Sequence, residues 1–226
     1  MKIVACLAWY DEPITFLDRC IRSLAGIADR IVAYDGAWQM FPHEDHLSPI
    51  EQTLRIYWTA NQVGISPNVF RPHVEWGSQV AKRDALMREA CDYGDWLFVI
   101  DGDEYVAEAD PDKLRATLAE TELDVASVTA KRTNGFAGVN VPQPIRRIYR
   151  ASTGVSVEIA HNGYRTADGR WLHGDGAFCK MEPVCNTAPF VLLHHEKLNR
   201  GVERNEASME YRKNRNRTQC ERWRRR

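Results

Sequence analysis

Long hydrophobic runs are absent from this sequence of 226 residues. The longest, residues 3–10, is less than half of the ~20 apolar residues that a membrane-spanning helix needs. It also lacks the basic flank and the small-residue cleavage site of a secretory signal. We therefore expect no transmembrane segment and a cytoplasmic protein.

Paired cysteines and low-complexity tracts are absent as well. The six cysteines stand at positions 6, 20, 91, 179, 185 and 220, without the Cys-x-x-Cys spacing that would suggest a zinc site. Reduced thiols in an intracellular compartment are the simplest interpretation. No repeat and no linker rich in Pro, Gly and Ser divides the chain, so we expect one domain over residues 1–226.

The net charge of −1 conceals an uneven distribution. Residues 197–226 hold 11 Lys and Arg against 4 Glu, a net of +7, so the rest of the chain carries −8. A basic segment of this kind can bind nucleic acid, an acidic membrane surface or another acidic partner. A solvated final helix has the same composition, and the sequence leaves these alternatives open for residues 203–226.

Apolar runs alternate with helical patterns through the first hundred residues, as in a parallel α/β sheet. Strands are predicted at residues 2–9, 30–34, 73–76 and 96–100, and helices at 16–24, from 49 and from 78. Ser48 and Glu51 have the spacing of a capping box at the second helix. That helix has an apolar stripe formed by Ile50, Leu54, Tyr57 and Trp58.

The second half of the chain has a different sequence pattern. After a helix that starts at Pro111, short apolar segments at 125–130, 145–149, 155–159 and 190–193 are separated by many glycines. The expected fold class is therefore α/β, with a mostly parallel sheet flanked by helices and a loop-rich, mixed C-terminal half.

The most informative motif is Asp101-Gly102-Asp103-Glu104, which directly follows the apolar strand at 96–100. Ligands of open parallel sheets bind beyond the carboxyl ends of the strands. Because alternate residues point to the same side, Asp101 and Asp103 could hold Mg²⁺ or Mn²⁺, which would neutralise a diphosphate. Gly102 between them would let the backbone approach a ligand closely. An acidic turn that merely ends the strand has the same sequence.

Three further residues could bind a nucleotide. Asp35 follows the second strand, where its carboxylate could accept hydrogen bonds from a ribose or a base; a turn residue before Gly36 is the alternative. Lys82 and Arg83 lie in the first turns of a helix, where a cation suits a phosphate. A solvated helix face is the alternative for both.

Histidines and acidic residues of the second half supply the remaining candidates. One of His194 and His195, at the end of the last strand, could join the carboxylates around a metal ion; histidines bonded to the backbone are the alternative. Five residues could act as a general base: Glu158, His161, His173, Asp175 and Glu182. Asp175 lies in a glycine turn near Trp171, an aromatic of the kind that stacks on sugar rings, although it could equally be an ordinary turn residue.

Taken together, these residues resemble a GT-A glycosyltransferase of family 2. The turn at 9–13 is similar to the Asn-Glu turn after the family's first strand, with Asp11 where Asn is usual. The acidic end of the second strand at Asp35, the segment 77–84 and the Asp-x-Asp at 101–103 follow in the family's order. The resemblance covers residues 2–106, and the second half matches only loosely.

The resemblance implies a GT-A (Rossmann-like) fold and a metal-dependent transfer of a sugar, with inversion, from a nucleotide-diphosphate sugar to an acceptor hydroxyl. Residues 1–106 would bind the donor and residues 107–202 the acceptor, which could be a glycan, a protein or a modified nucleic acid. The implied donor-binding residues are Trp9, Asp11, Asp35, Lys82, Arg83 and Asp101. The implied metal ligands are Asp101, Asp103 and His195, and the candidate bases are Asp175 and Glu158.

Two other functions fit the same sequence. A nucleotidyltransferase, or another enzyme that processes nucleotide sugars, would use a similar sheet and acidic pair. A non-catalytic α/β scaffold would instead bind nucleic acid through the basic segment.

Overall fold

The structure, a computed structural model, describes residues 1–39, 45–73, 75–132, 143–159, 163–174 and 181–195. The predicted helix or tail at 203–226 lies outside these residues. The helices in the described part are α1 Ile14–Arg22, α2 Ile50–Gln62, α3 Gln79–Cys91 and α4 Pro111–Glu120. The strands are β1 Ile3–Ala8, β2 Arg30–Tyr34, β3 Ser66–Phe70, β4 Trp96–Asp101, β5 Glu104–Ala109, β6 Val125–Arg132, β7 Gln143–Arg150, β8 Ser156–Ile159, β9 Gly163–Arg165, β10 Trp171–His173, β11 Cys185–Asn186 and β12 Val191–His195.

One large sheet and one small sheet organise the described residues. The large sheet has the order β3-β2-β1-β4-β7-β6-β12-β5, with β11 paired to β6. Its first four strands are parallel, and β7 is antiparallel to both β4 and β6. The small sheet, β10-β9-β8, is antiparallel. The predicted class is confirmed: a mostly parallel α/β sheet flanked by helices, with a mixed second half.

The central strands explain why the sheet is covered on both faces. β1 and β4 are continuous apolar runs, and alternate residues of each belong to opposite core clusters. Helices α1, α2 and α4 pack in one cluster, whereas α3 and the small sheet pack in the other. The cysteines among the described residues, Cys6, Cys20, Cys91 and Cys185, form no disulfide.

The third strand differs from the prediction at 73–76, which was wrong. The strand that pairs with β2 is Ser66–Phe70, and Trp76 forms only an isolated bridge with Trp38. β3 contains Pro67, whose missing N–H is tolerated because β3 is at the edge of the sheet. Helix α2 is the connection between β2 and β3.

Two further features of the structure differ from the sequence-based expectations. The acidic motif does not end the sheet structure, because β5 begins at Glu104 itself. In α2, the predicted apolar stripe faces solvent.

No helix in the described ranges is long and apolar enough to cross a membrane.

Candidate active site

The loops after the four parallel strands lie next to one another at the carboxyl edge of the sheet. The backbone N–H of Trp9 donates to the carbonyl of Tyr34 at 3.2 Å, and that of Asp35 donates to the carbonyl of Phe70 at 3.0 Å. We refer to the described parts of these loops as the strand-end loops: residues 9–13, 35–39, 45–49, 71–73, 75–78 and 102–103. Ligands of parallel sheets bind at this edge.

The carboxylate of Asp35 is buried at the centre of the strand-end loops and bound on both oxygens. Ser48 donates to it from its backbone N–H at 3.1 Å and from its hydroxyl at 2.5 Å. Arg71 Nε lies 3.1 Å from Oδ2 and forms an ion pair with it. Asp35 therefore joins the loops after β2 and β3, and its contact with a nucleoside stays a prediction.

Ser48 does not cap α2, and the predicted capping box is wrong. Pro49 occupies the N-cap position without any side-chain cap bond. The Ser48 hydroxyl instead donates to Asp35 and accepts the backbone N–H of Asp11 at 2.8 Å. Asp11 has a φ of 45°, in the left-handed region that Asn and Asp tolerate better than most residues. An aspartate is therefore well suited to this position of the turn.

Lys82 is buried and does not lie on a solvated helix face. Its Nζ donates to the backbone carbonyls of Trp9 at 2.5 Å and Gly36 at 2.7 Å. Burial lowers the pKa of Lys82 to about 7, against the opposing effect of Asp35. Near neutral pH the amine therefore fastens the loops after β1 and β2 to the start of α3.

An arginine holds each end of the acidic turn at 101–104; Arg83 is buried and Arg147 is 16% exposed. Arg83 donates to Asp101. Burial alone would lower the pKa of Arg83, but the Asp101 carboxylate raises it above its ordinary value. At the other end, Arg147 of β7 donates to Glu104 Oε1 at 2.7 Å. The turn is thus fixed by two ion pairs.

The carboxyl group of Glu104 is buried beside two other acidic residues and one arginine. Burial raises the pKa of Glu104 to about 7; Arg147 acts in the opposite direction, and Asp101 and Asp103 add to the increase. Its Oε2 also accepts the backbone N–H of Asp101 at 3.0 Å. Asp103, between them, is buried.

Gly102 packs closely against neighbouring side chains, and its role in admitting a ligand stays a prediction. A Cβ at this position would lie 3.0 Å from Glu12 Cγ and 3.2 Å from Leu17 Cδ2. The space beside Gly102 is therefore filled by the loop before α1 and by α1 itself.

The donor set of the acidic turn suits a divalent cation. Asp101 and Asp103 supply carboxylate oxygens, and Mg²⁺ needs only one or two carboxylates together with waters and substrate phosphates. Within the described residues, no group of three potential metal ligands is found. Strand β12 returns beside this turn, where the backbone of His195 pairs with Glu104. The side chain of His195 is outside the described part of the chain.

Of the two candidate bases Glu158 and Asp175, the structure describes only Glu158. Glu158 of β8 is exposed, lies 3.8 Å from Arg165, and lines a cavity of about 530 Å³ with Arg88 and Cys91 from the second half of α3. Glu158 therefore lies outside the strand-end loops. Asp175, together with His161, lies outside the described residues.

His173 belongs to a buried aromatic group. Its Nδ1 lies 3.1 Å from the Tyr149 hydroxyl, and Tyr149 stacks on Tyr164 at a centroid distance of 4.5 Å. Burial lowers the pKa of His173 to about 4, with Arg146 and Arg147 acting in the same direction. The imidazole is therefore neutral near pH 7.

Sequence reasoning missed Arg71 and Arg147. For Arg147 a signal existed, because two adjacent arginines interrupt the apolar segment at 145–149 and a buried arginine needs a carboxylate partner. For Arg71 there was none, because the strand that precedes it was not predicted.

Comparison with solved structures identifies the fold as GT-A-type. The structure of S. aureus TarS, a GT-A-type glycosyltransferase, matches with a TM-score of 0.51 and 19% identity, over 68% of this chain and 29% of that chain. The structure of S. aureus TarS 1–349 in complex with UDP matches with a TM-score of 0.50 and 19% identity, over 68% of this chain and 48% of that chain. This chain thus spans less than half of the length of either structure. No family model and no curated protein matches the chain.

Proposed function

We propose that this chain transfers a sugar from a nucleoside-diphosphate sugar to an acceptor hydroxyl, with inversion at the anomeric carbon. The observation that supports this most strongly is the position of Asp101 and Asp103 at the carboxyl end of β4, a central strand of a GT-A-type sheet. UDP is the first nucleotide to test, because the TarS 1–349 structure contains UDP. In this proposal residues 1–106 bind the donor and residues 107–202 the acceptor.

The buried network of the strand-end loops supports donor binding. Asp35 and Lys82 hold the loops after β1, β2 and β3 in one arrangement before any ligand arrives. Such preorganisation lowers the entropic cost of binding. The proposed donor-binding residues are those of the resemblance: Trp9, Asp11, Asp35, Lys82, Arg83 and Asp101.

Asp101, Asp103 and His195 are the proposed metal ligands. A bound Mg²⁺ or Mn²⁺ would offset the negative charge that develops on the leaving diphosphate. Arg83 fixes the orientation of the Asp101 carboxylate through its hydrogen bond. The second half of the chain would provide the base, Asp175 or Glu158, which removes the proton of the acceptor hydroxyl. Attack from the face opposite the leaving group gives inversion.

A product assay tests this proposal. The protein is incubated with UDP sugars, Mn²⁺ and a panel of hydroxyl acceptors, and the release of UDP is measured. We expect Asp103→Asn to lower turnover by about 10²-fold or more, the size of effect seen when one charge-stabilising group is removed. Asp168→Asn, at an exposed position, is the matched control.

The outcomes separate the candidate functions. Release of pyrophosphate from nucleoside triphosphates, without release of UDP, would identify a nucleotidyltransferase. Unchanged turnover in Asp103→Asn would remove the metal role of that residue. A cytoplasmic location and an acidic partner for residues 203–226 stay predictions.

A further inference from the structure

Helix α2 presents apolar side chains to solvent along one face. The α2 face, as we call it, includes one residue from the start of α1; its members and their exposed fractions are Ile14 39%, Ile50 51%, Leu54 59%, Tyr57 39% and Trp58 51%. The four α2 residues have the spacing that aligns side chains on one side of a helix. They form a continuous stripe rather than scattered exposed residues.

The opposite side of α2 shows that this stripe is not a core face left open by chance. The buried residues of the helix are Ile56 and Ala60, which join the core, together with the polar Gln52, Thr53 and Thr59. Thr59 donates to Asp18 of α1 at 2.7 Å and so fixes the rotation of α2 against α1. The helix thus already has a buried side, and a second, exposed apolar side is typical of an interaction surface.

Two arginines border the α2 face. The guanidinium carbons of Arg55 and Arg22 lie 4.8 and 5.7 Å from the centre of a Trp58 ring. Asp18 pairs with both arginines and is less exposed than either. Their guanidinium groups are therefore held at the edge of the apolar stripe, with Glu51 as an exposed acidic residue of the same helix.

The small apolar area of the α2 face argues against a second copy of the chain as its binding partner. Side chains of this size present about 200 Å² each, so at these exposures the five residues offer about 500 Å². Through these five side chains two copies would bury about 1,000 Å², below the ~1,200–2,000 Å² of stable protein pairs. A lipid surface has no such threshold, because each inserted apolar group adds to the binding free energy.

We propose that the α2 face docks on the surface of an anionic lipid bilayer. Trp58 and Tyr57 are the ring types that lie at the level of lipid headgroups, and Ile50 and Leu54 would reach the acyl boundary beneath them. Arg22 and Arg55 would contact lipid phosphates. In addition, residues 197–226 give the chain a segment of net charge +7, which an anionic surface attracts.

The α2 face begins at the edge of the strand-end loops. Ile14 directly follows the loop after β1, and Ile50 directly follows the loop that contains Ser48. Docking through this face would bring the strand-end loops close to the bilayer surface. The proposal does not depend on the proposed transfer reaction and is tested without it.

Vesicle co-sedimentation of the full chain is the experiment. We expect the protein to bind vesicles of phosphatidylcholine and phosphatidylglycerol in equal parts, to bind phosphatidylcholine vesicles much less, and to dissociate at high salt. Leu54→Glu and Trp58→Glu should each reduce partitioning about tenfold, the effect of removing one inserted large apolar side chain. Val184→Glu changes an exposed apolar residue outside the α2 face and should bind like the original chain.

Three results of the vesicle experiment would overturn the proposal. They are absence of binding to the anionic vesicles, equal binding to both vesicle types, and unchanged binding of both glutamate variants. Circular dichroism confirms that the variants fold, and Ile50→Glu serves as a replacement if either does not. Light scattering gives the remaining contrary outcome: a dimer that Trp58→Glu dissociates would assign the α2 face to a second copy.

Discussion

The two sheets of this molecule use charge in different ways. In the strand-end loops of the large sheet, Asp35 is fully buried and its partner Arg71 is 20% exposed. In the small sheet, Glu158 and Arg165 are 48% and 35% exposed and 3.8 Å apart. A buried pair whose charges are also hydrogen-bonded fixes one geometry, whereas an exposed pair contributes little. The difference indicates that precise geometry is concentrated at the carboxyl edge of the large sheet.

Changing one carboxylate to its amide in each region gives the largest expected difference. Asp35→Asn should lower the free energy of unfolding by about 3–5 kcal/mol, because Arg71 and the Ser48 donors lose their charged acceptor. Glu158→Gln should change it by about 0–1 kcal/mol. Urea denaturation measures both. Similar losses in the two variants would contradict the contrast between the regions.

Lysine variants test the next contact. Lys82→Met should lower the free energy of unfolding by about 2–4 kcal/mol, because two buried carbonyls lose their hydrogen-bond donor. Lys113→Met, at an exposed ion pair with Asp110, is the control and should be nearly neutral.

The pH dependence of the Lys82→Met effect has a definite sign. The folded pKa of Lys82 is about 7 and its ordinary value is 10.5, so between these values the unfolded chain binds more protons. The stability contribution of Lys82 therefore rises with pH across this window. The cost of Lys82→Met should be about 2 kcal/mol larger at pH 9 than at pH 7. A cost that is constant over this range would show that the ammonium stays charged.

Glycine variants give the smallest expected effect. Gly102→Ala should cost about 1–3 kcal/mol, because the added methyl group would press on Glu12 and Leu17. Gly77→Ala is the control, since nothing lies within 4 Å of a Cβ built there. Thermal unfolding of both variants measures the difference, and equal midpoints would refute the packing role of Gly102.

The sequence predicted the parts of the fold that local patterns determine. The strands β1, β2 and β4 are continuous apolar runs and were found where predicted, to within a residue or two. Helix α3 begins after Ser78, whose side chain accepts the N–H of Ala81 as a cap. The acidic motif was correctly placed at the end of a central strand.

What was missed depends on contacts between distant segments. β3 was missed because its sequence, Ser-Pro-Asn-Val-Phe, has no apolar run, and its place at the sheet edge depends on pairing with β2. The capping box failed because Asp35 and Asp11 both use Ser48. The burial of Lys82 follows from two carbonyls on two different loops, and the roles of Asp175 and Glu158 stay predictions.

Calorimetric titration of the protein with UDP in the presence of Mn²⁺ tests the central claim most directly, namely that the acidic turn at 101–104 binds a metal and a diphosphate together. The account predicts saturable binding at one site that requires Mn²⁺ and is lost in Asp103→Asn. Binding of UDP that is unchanged without metal and in that variant would contradict it.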